Sequence, residues 1–234
     1  MKALLLRVGI DKGTDGTLGP IFEDGSFEFI PMSEQDLRSK EHRTYKNIIG
    51  RLGKPFATYL PKRIENRILH DDPEFETCTY GDATSKRSYL LKLQNSDLLA
   101  FYAGLQPFNN DKFNTALYLV GYFTVEGVID FNQLSKTEIE TSYGLYSNNA
   151  HIKRNRPPAD LVIVVGNKRR SKLLSKALLI SQSKPDKSGK PTQAVSEEME
   201  RLLGIYGFIQ RSIPPRFITN PDKIDNLREL LELQ

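Results

Sequence analysis

The 234-residue sequence predicts an α+β fold: a mixed, mainly antiparallel sheet, curved or barrel-like, with flanking helices, built by a single domain over residues 1–234. Three observations carry this expectation. Apolar stretches of strand length recur along the chain, a few segments carry helix caps, and no composition break marks an interdomain linker. Hydrophobic residues make up 38% of the chain, enough for a sizeable core, and charged residues make up 26%, so it is not a disordered tail. The longest apolar runs fall far short of the ~20 residues of a membrane helix. The single cysteine, Cys78, excludes an internal disulfide and a cysteine-built zinc site. The apolar stretch after Met1 is too short for a signal peptide. A soluble cytoplasmic protein with no membrane partner is expected.

In chain order, Lys2–Ile10 reads as a buried first strand. Gly9, Gly13, Gly16 and Gly19 then make a pliable loop. Asp24-Gly25 is a turn signal between Ile21-Phe22 and Phe27–Ile30, which predicts a hairpin. Residues 33–50 are polar and read as loop or surface helix. Leu98–Tyr102 and Ala116–Val128 are the next strands, with Gly121 as a bulge position. Residues 132–150 read as helix or loop, and Leu161–Val165 as a fully buried strand. Leu173, Leu174, Ala177 and Leu178 fall at helical spacing and predict a helix from about Ser171. The Lys-, Pro-, Ser- and Gly-rich residues 184–193 read as a flexible loop. Helices are expected at Ser196–Gly204, capped by Ser196, and from Asn220, with Pro221 in the first turn.

The charge is unevenly placed. Residues 151–220 hold 14 Lys and Arg against 5 Asp and Glu, a local +9; the rest of the chain holds 19 against 24, a −5 that masks it in the total of +4. Such asymmetry points to an anionic partner, DNA, RNA or a nucleotide, although a merely solvated basic surface has comparable weight.

Five constellations are candidates for chemistry. The loop after strand one carries Asp11 and Asp15, but neither a dinucleotide fingerprint nor a calcium loop is complete there, and carboxylates bonding local N–H groups are the favoured reading. His70 stands among Asp71, Asp72, Glu74 and Glu76; it would serve as general base or hold a divalent ion, while an acidic loop start is the more economical reading. No metal ligand set is assigned and no cofactor is legible. His151, Lys153, Arg154 and Arg156 gather cationic donors before a buried strand. Lys168, Arg169, Arg170 and Ser171, set after Gly166 at an expected helix start, would form an anion site; the absence of Gly-Lys-Ser/Thr excludes a Walker loop. Arg211 and Arg216 flank Pro214-Pro215, which stiffens their presentation. Tyr80 and Tyr102 are among the aromatics able to stack an extruded base, although most aromatics are expected in the core.

These residues carry a resemblance. Leu4–Thr14, Leu18–Phe22, Phe27–Pro31, Asp72–Glu76 with Thr79–Asp82, Asp97–Leu105, Asp160–Gly166 with Ser171–Ala177, and Pro214-Pro215-Arg216 are together similar to the nucleotide-modification-associated domain family, third type. The resemblance implies a role beside systems that modify DNA bases or nucleotides, with other components of such a system as partners. It implies no catalytic residue. Asp97–Tyr102 with Leu119–Val125 also resembles the central strands of EVE and other PUA-like domains, small curved barrels that bind RNA or modified bases. That likeness implies a base pocket rimmed by Tyr102, Gly104 and residues 105–115.

Two readings of function follow. The first is a nucleic-acid- or nucleotide-binding protein recognising a modified base or nucleotide. The second is an enzyme acting on a nucleotide or DNA base by transfer or hydrolysis, with Asp11, Asp15 and His70 as its acid, base or metal set, and Asp72 and Glu74 beside them. A structural partner of a modification complex is a third possibility, and it would show a broad apolar patch instead of a polar pocket.

Overall fold

The computed structural model describes residues 1–154, 157 and 159–233. The first half of the chain contributes β1 (Ala3–Val8), β2 (Gly19–Ile21), β3 (Met32–Ser33), β4 (Leu69–His70), β5 (Thr79–Asp82) and the single-turn α1 (Arg87–Leu90). The long strands β6 (Leu98–Pro107) and β7 (Ala116–Asp130) follow, then α2 (Lys136–Leu145). The remainder is β8 (Val162–Gly166), β9 (Lys172–Leu179), β10 (Ser181–Pro185), β11 (Pro191–Val195), α3 (Glu197–Leu203), β12 (Arg216–Ile218) and α4 (Pro221–Leu230).

An eight-stranded mixed sheet runs β12-β1-β6-β7-β8-β5, with β2 also on β6 and β9 also on β7. Among the described pairings, β1 and β2 lie parallel to β6 and the other pairs are antiparallel. The fold is α+β, as the apolar strand pattern predicts. The sheet is not closed into a barrel: its path ends at β12 and β5.

Strand β1 is buried along its whole length, as a strand central to a sheet requires. Its one charge, Arg7, therefore stands out. In β7 the register slips opposite Phe101 and Tyr102, so that Val120, beside Gly121, is the extra residue of a bulge. Helix α2 begins at a capping box of Ser135 and Glu138. Ser196 caps α3, Gly204 closes it in the left-handed conformation, and Asn220 caps α4 ahead of Pro221.

One expectation is corrected. Residues 172–179 form strand β9, not a helix. Strand β7 is 15 residues long, and β8 covers only its far end from Val125 to Asp130. The near end, Tyr118–Tyr122, would otherwise expose unpaired N–H and C=O groups, and β9 satisfies them. Tertiary pairing here overrides a local helical period. Residues 184–193 are the end of the β10–β11 hairpin, paired from Ser181–Val195 to Pro185–Pro191, with a turn at Asp186–Lys190 held by the Asp186 carboxylate.

The main core lines the sheet. A second cluster around Ile10, Ile30, Tyr45, Phe56 and Ile64 packs under the loop-rich residues 22–70. The expected hairpin at Asp24-Gly25 is reduced to a turn and one bridge, Ile21 to Phe27. Among the described residues, no helix is long and apolar enough to cross a membrane.

Candidate functional site

A cavity of about 830 Å³ opens between the glycine-rich loop, β11 and residues 210–212. Its charged lining is Arg7, Lys12, Lys190 and Arg211 against Asp11 and Asp186, an excess of cations. Arg7 is placed by β1 and is only 8% exposed. Gly104 on β6 makes its place: a Cβ there would lie 2.7 Å from Arg7 Nη2. Arg7 Nη2 donates to Asp11 Oδ2 at 2.8 Å, while its buried Nε has no partner among the described residues. Arg211 Nη2 donates to the Gly9 carbonyl at 2.6 Å, and its Nε, also buried without a hydrogen bond, lies 3.5 Å from Asp11 Oδ2.

Burial pulls the Arg7 pKa down, the Arg211 cation adds to that, and Asp11 opposes it. Burial alone would raise the Asp11 carboxyl. The Gly13 N–H and the charges of Arg7 and Arg211 outweigh it and hold the group below the ordinary carboxylate range. A carboxyl held low is a weak general base at neutral pH, so Asp11 orients arginines better than it abstracts protons. Two guanidiniums sharing one carboxylate leave a net positive charge on the cavity wall, although both Nε atoms are themselves buried.

A second buried constellation lies between β4, β5 and the segment before β8. His70 Nδ1 lies 2.8 Å from Glu34 Oε2. Arg154 donates to the same carboxylate through Nη2 at 2.8 Å and Nε at 3.3 Å. Arg154 Nη1 faces His151 Nδ1 at 3.3 Å, and His151 Nε2 lies 3.5 Å from Asp72 Oδ2. The two imidazoles meet edge to face, with centroids 4.7 Å apart. Asp72 accepts the Gly81 N–H at 3.0 Å. Gly81 is glycine because a Cβ there would meet His151 Cδ2 at 2.7 Å. Burial pushes Glu34 up, but hydrogen bonds from His70 and Arg154 dominate and hold it well below the usual range. Ligand atoms of His70, Asp72 and His151 all lie within 4.8 Å of one another.

Lys86, at the start of α1, connects the two regions electrostatically. Burial depresses its pKa; Asp82 and Asp72 oppose this, while Arg211 and Arg7 reinforce it.

The other expected site residues are scattered. Asp15 is buried and bonded to Ser33 Oγ at 2.5 Å and Arg67 Nη1 at 3.1 Å, apart from the arginines that hold Asp11. Lys153 is paired with Glu41 at 2.8 Å, and Arg154 with Glu34, so their charges are already matched. Lys168, Arg169 and Arg170 are exposed on the β8–β9 turn, with Lys168 and Arg169 over a shallower cavity of about 400 Å³. The expected helix N-terminus there does not exist; Ser171 Oγ instead accepts the Thr124 N–H at 3.1 Å. Arg216 sits on β12 opposite Leu5. Arg156 lies outside the described residues.

The suggested base pocket at Tyr80, Tyr102 and Gly104 is filled by the protein itself. Tyr80 is buried against Phe101, and its hydroxyl donates to Asp82 at 3.3 Å. The Tyr102 hydroxyl donates to the Ile209 carbonyl at 3.2 Å; burial pushes its pKa up to about 12. The space over Gly104 is occupied by Arg7.

Sequence reasoning did not single out Arg7, Glu34, Lys86 or Lys190. The signal for Arg7 was present: one arginine inside an otherwise apolar buried strand.

Fold and cavity define an α+β protein with an arginine-lined polar pocket. The chain belongs to the family described as nucleotide modification associated domain 3, whose model matches residues 2–201. Arg7, Asp11, His70, Asp72 and His151 fall within the match; Arg211 and Arg216 lie beyond it. No curated protein and no solved structure matches the chain.

Proposed function

We propose that this chain binds a phosphorylated nucleoside, free or as a unit of DNA, as the recognition component of a nucleotide-modification system. The observation that carries the reading is Arg7: a guanidinium nine-tenths buried, with an unpartnered Nε, on the wall of a cavity that also holds Arg211. Placing a charge in the interior is costly unless it is paired. Here one carboxylate serves two arginines, and a phosphate in the cavity would supply a second anion of the kind that guanidinium groups favour. A cavity of about 830 Å³ is of the size that small-molecule pockets take. Lys12 and Lys190, on the rim, would add charge to the same phosphate.

Titration calorimetry with a nucleoside 5′-monophosphate, the matching nucleoside and a short oligodeoxynucleotide tests this. The expected result is binding of the phosphorylated ligands, weakened by salt, and little binding of the bare nucleoside. Arg7→Met should reduce affinity about 10- to 100-fold, the worth of a lost charge-assisted hydrogen bond at ~1.4 kcal/mol per decade. Equal affinity for nucleoside and nucleotide, or an unchanged Arg7→Met variant, would overturn the reading.

A further inference from the structure

We infer that His70, Asp72 and His151 form a binding site for a divalent first-row transition ion of the zinc or ferrous type. The site is separate from the arginine cavity and does not depend on its ligand.

Geometry is the first support. Zinc-type ions sit ~2.0–2.2 Å from nitrogen and oxygen ligands, which places neighbouring ligand atoms roughly 3.0–3.5 Å apart. His151 Nε2 and Asp72 Oδ2 already stand at 3.5 Å. One ligand atom from each of the three residues lies within 4.8 Å of the others, so binding an ion would require the trio to close by roughly 1 Å.

The surroundings are the second. Glu34 holds His70 Nδ1 as the N–H donor, which leaves the Nε2 lone pair free. A carboxylate behind a ligating imidazole is the usual way such a ligand is oriented and made more basic. His151 Nδ1 is contacted by Arg154, which can only donate, so the proton sits on Nε2, directed at Asp72. An ion would take the place of that proton. Nδ1 would then carry the hydrogen and Arg154 would give up its 3.3 Å contact, while remaining anchored on Glu34 through Nε and Nη2.

Charge is the third. Glu34 is matched by Arg154, but Asp72, 9% exposed, has no Lys or Arg ion-pair partner among the described residues. A buried carboxylate held by a backbone N–H and an imidazole, with Lys86 acting on it only from beyond ion-pair distance, is a place where a divalent cation is favoured. Two imidazoles and one carboxylate suit zinc, iron or cobalt far better than magnesium or calcium, which take oxygen-rich shells. Three protein ligands would leave a coordination position open.

The test uses the full chain, stripped of metal by chelator and dialysed. Zn²⁺ is titrated by calorimetry, Co²⁺ by its visible absorption, and the three histidine imidazoles are followed by NMR. The expected result is one equivalent of Zn²⁺ or Co²⁺ bound, with the signals of His70 and His151 moved and those of exposed His42 unchanged. His70→Ala and His151→Ala should each weaken binding at least ten-fold, and His42→Ala should not. If a variant fails to fold, the imidazole shifts of the unaltered chain decide. Absent saturable binding, unmoved His70 and His151 signals, or equal response to Mg²⁺ overturns the inference. Nucleotide affinity is measured on the same metal-free samples, so failure of the cavity and failure of the metal site are read independently.

Discussion

The arginine cavity and the histidine cluster each converge cationic or donor side chains on one carboxylate, and they end in opposite states. At Glu34 two donors, His70 and Arg154, converge on one carboxylate, and Arg154 continues to His151. The positive charge there is consumed. At Asp11 two arginines converge on one carboxylate, and each keeps a buried Nε without a hydrogen bond among the described residues. The charge there is left over. A basic residue therefore says little about ligand binding until its partners are known. Arg154 lies in the most basic part of the sequence and is matched inside the protein, whereas Arg7 lies in an otherwise apolar strand and lines a cavity.

Breaking the matched side should give the largest effect. Glu34→Gln removes the buried carboxylate that holds His70 and Arg154, leaves a partly exposed guanidinium without its counter-charge, and should cost about 2–4 kcal/mol in urea unfolding. Affinity for a nucleoside monophosphate in the folded fraction should hold. Gly81→Ala comes next. Its Cβ would press on His151 Cδ2 at 2.7 Å and Asn149 Oδ1 at 3.0 Å, and should cost about 1–3 kcal/mol in the same assay.

Acid sharpens the contrast without a mutation. Glu34 lies well below its ordinary 4.5, and Glu41 is pulled to about 2: burial opposes this, but hydrogen bonds from Arg43 and Lys153 prevail. A carboxyl depressed in the folded state stabilises fully above its unfolded pKa and loses that contribution as pH falls towards the folded value. The part of the melting temperature that Glu34 and Glu41 contribute should therefore be full near neutrality and be lost from about pH 4.5 downward, so the difference between the unaltered chain and Glu34→Gln should shrink as pH falls through that range. The smallest effect is expected at Gly104→Ala. The added methyl would press on the Arg7 guanidinium at 2.7 Å and on Leu18 Cδ2 at 2.8 Å, tilting the guanidinium, and should lower monophosphate affinity about two- to five-fold, the scale of an off-rotamer side chain.

What was legible in the sequence follows from range of interaction. The long strands and the caps at Ser196 and Asn220 are local or nearly so, and they stand where the pattern places them. Strand β9 was not legible, because its conformation is imposed by the open edge of β7 some fifty residues earlier. His70 and His151 were each visible as candidates, but their meeting depends on β5 pairing with β8, which brings Gly81 opposite Ile163 and the preceding segment over it. Asp11 was visible too, and its partners were not: Arg211 arrives from 200 residues away. The basic excess of residues 151–220 was correctly counted, yet a count cannot tell Lys153, matched by Glu41, from Arg211, which is not fully matched.

The claim that unmatched buried charge marks the ligand site is tested most directly by one titration of a nucleoside 5′-monophosphate into three chains: unaltered, Arg211→Met and Lys153→Met. Each variant removes one cation from the basic region. The account predicts a loss of about ten-fold or more for Arg211→Met, worth ~1.4 kcal/mol, and unchanged affinity for Lys153→Met. Equal losses in both variants, or a loss confined to Lys153→Met, would contradict it.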